Sequence, residues 1–274
     1  MPQRKVAIVT GASAGIGRAT ALALARRGYA VVVSARRAER LAEVADACRA
    51  AGGQDVVKVA DVSDQAQVDE LVGSTVARFG RLDVMVNNAG YGLRARVHET
   101  SDEQMRAIFD VNFHGVFYGC RAAAPIMMRQ RGGHIFNVSS VIGKRGTPFN
   151  GAYCATKFAV AGLTDSLRVE MMPYNVRVTC VCPALTGTEF FDAMQGGTRR
   201  SGKTFARLRG LTDPEVVGRR IAATVGKNTP ELVFTLGGKF LVLLATLSPR
   251  LADILMKRYH DAILRETSIT RPRT

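Results

Sequence analysis

Residues 10–17 read Thr-Gly-Ala-Ser-Ala-Gly-Ile-Gly. They follow the apolar run 5–10 and precede a helical pattern over 18–28, so they join a strand to a helix. Glycine permits a tight turn and a close backbone approach, and the first N–H groups of a helix attract negative charge. With both flanking elements in place, the turn predicts a site for a dinucleotide pyrophosphate. The residues expected to contact it are Gly11, Ser13, Gly15, Ile16 and Gly17.

Seven apolar, strand-like runs alternate with helical stretches along the chain. Their near-continuous valine and isoleucine content is typical of strands that are covered on both faces. The pattern predicts an α/β fold, a single doubly wound Rossmann-type domain with a seven-stranded parallel sheet. With no internal repeat or linker, we expect one domain over 1–236 and a C-terminal helical extension over 237–274. The predicted strands are 6–10, 30–35, 56–60, 82–86, 134–138, 176–182 and 232–235.

Tyr153 and Lys157 are four residues apart within a helical run over 152–169, so their side chains share one helix face. A phenol is a weak acid with a pKa of about 10, and a neighbouring ammonium is expected to lower that pKa. Ser140 ends an apolar strand, where its hydroxyl can face a ligand in the crevice beyond the strand. A Tyr-x-x-x-Lys pair alone is usually a solvated helix face, but beside a nucleotide loop it predicts proton transfer to a carbonyl oxygen.

Six separated motifs, in order, resemble those of the short-chain dehydrogenase/reductase family over about residues 5–235. The family pattern Thr-Gly-x-x-x-Gly-x-Gly is matched by 10–17 without a gap, and 87–90 reads Asn-Asn-Ala-Gly. The segment 183–188 is similar to the family's Pro-Gly-x-x-x-Thr, with Ala184 in place of glycine.

The resemblance implies a role for further residues. Asn112 stands at the family's fourth catalytic position, which supports a water-linked proton path through Lys157, beside Ser140 and Tyr153. Dimers or tetramers are common in the family, through helices that here would cover about 102–131 and 152–173. The resemblance therefore implies a homo-oligomer. The cofactor contacts that it implies are Asp61 and Val62 at the adenine, Asn88, Ala89 and Gly90, and Pro183, Thr186 and Thr188 at the nicotinamide end.

The end of the second predicted strand bears on the choice of cofactor. Ala35 occupies the position where relatives that prefer NAD carry an aspartate, and Arg36 and Arg37 follow it. A guanidinium suits a 2′-phosphate in geometry and charge, so the sequence favours NADP over NAD, with Ser13 as an added contact. The alternative is that both arginines are solvated at the start of the next helix.

Composition sets wider limits. The net charge of +15 is accompanied by no long basic run and no nucleic-acid motif, so we expect no nucleic-acid partner. The five cysteines show neither a disulfide framework nor metal-ligand spacing, and we expect reduced thiols and no metal site. The first residues contain no apolar signal region. These features favour a cytoplasmic location. The C-terminal extension adds the possibility of association with a membrane.

The C-terminal extension contains the apolar run 240–247, which is too short to span a bilayer, and then Ser248-Pro249, a helix-start signal. The apolar residues 251, 254, 255, 259 and 263 recur at helical spacing, and basic residues lie largely elsewhere on the wheel. One interpretation is that this helix packs on the domain or at a subunit interface. The other is peripheral contact with an anionic membrane.

The segments 141–150 and 185–195 are expected to contact the substrate. Their apolar side chains suggest a steroid-, retinoid-, lipid- or aromatic-ketone-like substrate, although they equally suit a loop core. We therefore expect an NADP-dependent oxidoreductase that interconverts a carbonyl and a secondary alcohol. The alternatives are a 3-oxoacyl-thioester reductase acting on an acyl carrier, or a non-catalytic protein that senses NADP. The apolar candidates are Val141, Ile142, Phe149, Leu185, Phe190, Phe191 and Met194.

Overall fold

The computed structural model describes residues 4–187, 189, 194 and 212–267 of the chain. Within them, seven parallel strands form one sheet in the order β3-β2-β1-β4-β5-β6-β7. This confirms the predicted fold class. The strands are β1 (Val6–Thr10), β2 (Ala30–Ala35), β3 (Gln54–Val59), β4 (Val84–Asn87), β5 (Gly133–Val138), β6 (Val176–Cys182) and β7 (Glu231–Val233).

Helices cover both faces of this sheet. Helices α1, α2 and α7 share one hydrophobic core, and α3, α5 and α6 share the other. The α-helices of the described residues are α1 (Gly15–Ala25), α2 (Ala38–Ala50), α3 (Gln65–Phe79), α4 (Asp102–Phe109), α5 (Gly115–Gln130), α6 (Gly151–Met171), α7 (Pro214–Thr224), α8 (Leu236–Leu247) and α9 (Pro249–Thr267).

The two cores explain why the strands are apolar at every position. In β1, Ala7 and Val9 pack into the core beneath α1 and α2, whereas Ile8 between them packs into the core beneath α3 and α5. All three side chains are fully buried. Successive strand residues point to opposite faces, so a sheet covered on both sides buries each of them.

The order of the strands determines where the ligand-binding crevice of the sheet lies. From the central strand β1, the chain moves through β2 to β3 on one side and through β4 to β7 on the other. Ligands of doubly wound sheets bind outside the carboxyl ends of the strands where this direction reverses. Residues 10–17 follow β1 and residues 87–90 follow β4, so both segments lie at that point.

The predicted helix over 102–131 is interrupted. A π-helical turn, Asp110–His114, separates α4 from α5. Such turns insert an extra residue and redirect the side chains within them, and they are frequent at functional sites. Here the turn carries Asn112, whose side chain is completely buried.

The C-terminal extension consists of α8 and α9, which pack against each other. Pro249 is the first residue of α9, as the sequence predicted, because its fixed φ suits the first helical position. Among the described residues, no helix combines the length and the apolar character needed to cross a bilayer.

Candidate active site

The glycine turn adopts a conformation that other residues would disturb. Gly11 and Gly15 have φ of 63° and 53°, in the left-handed region that favours glycine. A Cβ added to Gly17 would lie 2.3 Å from the carbonyl oxygen of Gly11. The turn is therefore tight enough to bring the first N–H groups of α1 to a bound pyrophosphate.

Thr10 and Asn88 join the turn to the end of β4. The Thr10 hydroxyl accepts hydrogen bonds from the backbone N–H groups of Asn88 at 3.0 Å and Ala89 at 3.2 Å. The Asn88 amide donates to the carbonyl oxygen of Thr10 at 2.9 Å. The glycine turn and the segment after β4 thus hold each other in place. Asn88 was predicted to bind the cofactor, and the structure shows that it also has this structural role.

One cavity of about 640 Å³ runs from the glycine turn across the ends of the strands. Most of the residues predicted for the site line it. Gly17 and Asn112 do not; they lie behind the wall, and Thr188 falls outside the described residues. The predicted residues that line the cavity are Gly11, Ser13, Gly15, Ile16, Arg36, Arg37, Asp61, Val62, Asn88, Ala89, Gly90, Ser140, Tyr153, Lys157, Pro183 and Thr186.

Ser140, Tyr153 and Lys157 come together in the lining of this cavity. The Tyr153 phenol is hydrogen-bonded to the Ser140 side chain, and the Lys157 ammonium lies 5.6 Å from the centre of the Tyr153 ring. The ammonium also donates to the carbonyl oxygen of Val138 at 2.8 Å. Tyr153 and Lys157 occupy adjacent turns of α6, so the predicted shared helix face is present.

The acidities of this pair differ from the prediction. Burial raises the pKa of the Tyr153 phenol above its ordinary value, and the hydrogen bond to Ser140 offsets that rise only in part. Burial lowers the pKa of the Lys157 amine to about 8. The expected lowering of the tyrosine pKa is therefore not found in the protein alone, because desolvation by burial is the largest influence on the phenol.

Asn112 supports the site from behind. Its side-chain oxygen accepts from the backbone N–H of Tyr91 at 2.9 Å, and its amide donates to the Tyr91 carbonyl at 2.9 Å. A Cβ added to Gly90 would lie 3.0 Å from Asn112 Oδ1 and 3.6 Å from Lys157 Nζ. The π-helical turn thus fixes residues 90–91 against Lys157 with little room to spare.

The arginines after β2 have unequal surroundings. Arg36 forms an ion pair with Asp61 at 3.7 Å, whereas Arg37 donates to the Ser13 hydroxyl at 3.0 Å. Two residues that the sequence did not single out complete this corner. Arg40, one turn further along α2, and Arg37 both contact Glu189, at 2.6 and 3.3 Å.

The other end of the cavity is mostly apolar. Ile142, Leu185 and Met194 line it as predicted, together with Val141. Phe149 does not line the cavity, because its ring stacks on His260 with centroids 5.1 Å apart and is almost fully buried. Phe190 and Phe191 lie outside the described residues.

Helix α9 supplies part of this wall. The sequence did not decide between the two interpretations of this helix. Met256 and Tyr259 line the cavity, and Ala252 on the same helix is fully buried. An ion pair between Arg145 and Asp253 joins α9 to the segment before α6. The interpretation that this helix packs on the domain is correct. Tyr91 and Arg94, from the segment after β4, also line the cavity and were not predicted.

The remaining candidate groups are structural. None of the five cysteines forms a disulfide, and all five are buried. The described part of the chain contains no cluster of three or more histidine, cysteine or acidic side chains placed to hold a metal ion. His114 is hydrogen-bonded to Asp110 at 3.0 Å.

Solved structures support the reading of the fold. An alcohol dehydrogenase from the archaeon Thermococcus sibiricus, complexed with 5-hydroxy-NADP, superposes with a TM-score of 0.75 at 30% identity, covering 84% of this chain and 96% of its own. An NAD⁺-bound xylitol dehydrogenase superposes with a TM-score of 0.76 at 28% identity, covering 85% of this chain and 99% of its own.

Curated relatives agree. A 3β-hydroxysteroid dehydrogenase of Mediterraneibacter gnavus is 40% identical over 185 residues, 67% of this chain and 67% of its own length. The 3-oxoacyl-(acyl-carrier-protein) reductase FabG of Staphylococcus aureus is 38% identical over 195 residues, 71% of this chain and 79% of its own length. The model of the short chain dehydrogenase family matches residues 5–197. The chain therefore belongs to the short-chain dehydrogenase family of nicotinamide-dependent oxidoreductases.

Proposed function

We propose that this chain is an NADP-dependent oxidoreductase that interconverts a carbonyl and a secondary alcohol on an apolar substrate. The observation that carries the proposal is that Ser140, Tyr153 and Lys157 line the same cavity as the glycine turn and a set of apolar side chains. A cofactor bound at the turn and a substrate bound at the wall would meet at these three side chains.

The residues present fit a dinucleotide. The glycine turn offers the helix N-terminus to the pyrophosphate, and Asp61 and Val62 line the cavity where the adenine is expected. Pro183 and Thr186 line it beyond Lys157, where the nicotinamide is expected. When bound, this cofactor gives a hydride to the substrate carbon or takes one from it.

The protein's own part in the reaction is to bind the oxygen and move its proton. Ser140 donates a hydrogen bond to the substrate oxygen, and Tyr153 transfers a proton to or from it. Lys157 binds the ribose of the cofactor and supplies positive charge beside the phenol. Asn112 keeps residues 90–91 against Lys157 and, in this proposal, holds the water that relays the proton.

Two observations support NADP. Ala35 leaves no carboxylate at the end of β2, and Arg37 is hydrogen-bonded to Ser13 where both residues line the cavity. Both NADP and NAD occur in the solved structures that superpose on this chain, so the arginines rather than the family carry this part of the proposal.

The apolar wall of the cavity indicates the substrate class. Most of the side chains in this wall are apolar: Ile142, Leu185, Met194, Met256 and the ring of Tyr259. An extended or fused-ring carbonyl would bury that surface, and a relative that acts on a 3β-hydroxysteroid agrees with this size.

A reductase of 3-oxoacyl chains on a carrier protein is the second candidate. A relative with that activity and the net charge of +15, which would attract an acidic carrier, both favour it. One panel separates the two functions: oxidation of NADPH and of NADH with ketosteroids, retinal, aromatic ketones and 3-oxoacyl thioesters. We expect turnover with NADPH and a bulky apolar ketone. Turnover confined to the thioesters, or to NADH, would reject the first proposal.

We also propose that copies of the chain associate through α5 and α6. Phe117, Phe158 and Val169 on these helices are large, apolar and exposed. Such patches on a protein surface commonly mark interfaces. Light scattering coupled to size-exclusion chromatography is expected to show a dimer or tetramer, and a monomer at micromolar concentration would reject this assignment.

The outer face of α9 is the proposed site of peripheral contact with anionic membranes. Leu251 and Ile254 are exposed there at 46% and 53%, and Arg250 and Arg258 are exposed beside them. Apolar and basic side chains on one helix face suit the lipid interface. Binding to phosphatidylglycerol vesicles at low salt is expected, and its absence would remove this proposal.

A further inference from the structure

Glu189 lines the cavity and contacts both Arg37 and Arg40. Arg40 Nη1 donates to both carboxylate oxygens of Glu189 at 2.6 Å, and Arg37 Nη1 donates to one of them at 3.3 Å. The contacts join residues 149 and 152 positions apart, from the start of α2 and the segment after β6. They are therefore a feature of the tertiary fold rather than of one helix.

The surroundings of Glu189 have the properties of an anion site. Arg37 also donates from Nε and Nη2 to the Ser13 hydroxyl, at 3.3 and 3.0 Å, which fixes the plane of its guanidinium. Two guanidinium groups around one anion, one of them held in place by a hydroxyl, are an arrangement that proteins use to bind phosphate esters. Ser13, Arg37 and Glu189 all line the cavity, so the anion site opens into it.

A carboxylate and a phosphate monoester present similar oxygen acceptors to these donors, but the phosphate carries more charge. We propose that Arg40 belongs to the site for the 2′-phosphate of the cofactor, and that Glu189 is an intramolecular competitor which this phosphate must displace. This inference rests on the proposed NADP dependence and adds two residues to it.

The charge state of Glu189 agrees with that role. Its hydrogen bond to Arg40 holds the pKa of the carboxyl below its ordinary value, so the group is an anion at neutral pH. Because the carboxylate is part of the same chain, it is present at the arginines at high effective concentration whenever the phosphate is absent. NADPH then binds more weakly than the arginines alone would allow, whereas NADH, without a 2′-phosphate, leaves the contact intact.

The test compares the dissociation constants of NADPH and NADH, from titration of the reduced nicotinamide fluorescence, in wild-type protein and in the Glu189→Gln and Arg40→Ala variants. Asp46 and Arg49 form a matched control, because they pair at 2.9 Å on the same helix α2, away from the cavity. The control variants are Asp46→Asn and Arg49→Ala, and unfolding temperatures verify that all five proteins are folded.

We expect Glu189→Gln to tighten NADPH binding by up to about fivefold, the upper end of the range for exposed ion pairs, and to leave NADH binding unchanged. Arg40→Ala should weaken NADPH binding by about tenfold and spare NADH, and both controls should behave as wild type. If Glu189→Gln leaves NADPH binding unchanged or weakens it, Glu189 is not a competitor. Equal losses for both cofactors in Arg40→Ala would remove Arg40 from the phosphate site.

The wild-type protein separates this inference from the function on which it rests. Tighter binding of NADH than of NADPH by the wild-type protein would contradict the proposed NADP dependence, whatever the variants do. A wild-type preference for NADPH that Glu189→Gln does not change would contradict the competition alone.

Discussion

The ammonium of Lys157 and the ring of Tyr153 lie 5.6 Å apart on adjacent turns of α6, and both side chains are buried. Burial lowers the pKa of the amine to about 8 and raises that of the phenol. The pair is therefore a neutral phenol beside a mostly charged amine at neutral pH, which is the arrangement needed to give a proton to a carbonyl oxygen.

Gly90 is expected to tolerate no side chain without loss of activity. A Cβ there would lie 3.0 Å from Asn112 Oδ1, so Gly90→Ala should displace the Asn112 side chain, whereas the 3.6 Å to Lys157 Nζ is an ordinary contact. We expect kcat to fall by about tenfold, since small misplacements of reacting groups are costly. Gly162→Ala is the control, because a Cβ at that position on α6 meets nothing within 4 Å. A Gly90→Ala enzyme as active as the control would contradict the described contact.

Helix α9 is expected to set the size of the substrate. Replacement of Met256 and Tyr259 by alanine removes part of the cavity wall, so kcat/KM for the best bulky ketone should fall by about tenfold. Ile254→Ala, on the exposed face of the same helix, should leave it unchanged. The assignment of α9 to the substrate site is wrong if the double variant and the Ile254 variant have the same kcat/KM.

His134 is expected to make stability depend on acid. The buried ring accepts from the Gly226 N–H at Nδ1, 3.2 Å away, so its Nε2–H donates to the Thr179 hydroxyl at 2.8 Å. Burial lowers the pKa of His134 to about 3, whereas the unfolded chain has the ordinary value of about 6.5.

Because the folded pKa is depressed, the unfolded chain binds the proton first. The stability that neutral His134 contributes is full above pH 6.5 and is lost as the pH falls toward 3, at about 1.4 kcal/mol per pH unit. Urea unfolding at a series of pH values should show this slope, and His134→Gln should reduce it. An equal slope in both proteins would show that other groups cause it.

The sheet was largely predictable because its strands are covered on both faces. The bounds of β1, β2 and β6 coincide with the predicted runs, since every residue in them except Arg177 is apolar or small. Strand β3 begins two residues earlier than predicted, at Gln54, because backbone pairing with β2 extends past the apolar residues. The π-helical turn at Asp110–His114 has no periodic signal of its own, so the sequence merged α4 and α5 into one helix.

The site was predictable where a local motif carries it. The glycine turn, Ser140, Tyr153 and Lys157 all line one cavity, as their spacing indicated. Contacts between distant segments were not predictable. Glu189 reaches Arg40 across 149 residues, and Met256 reaches the cavity from a helix beyond the family-matched part of the chain. The tyrosine pKa also depended on burial, which spacing alone does not reveal.

The central claim is that the Tyr153 hydroxyl transfers the proton. Tyr153→Phe removes that oxygen and keeps the packing of a side chain that is only 9% exposed. The decisive measurement is kcat with NADPH and the best carbonyl substrate, made together with the NADPH dissociation constant on the same protein. We predict a loss of kcat of about a thousandfold or more with the dissociation constant unchanged. Turnover that persists in the Tyr153→Phe protein would contradict the claim.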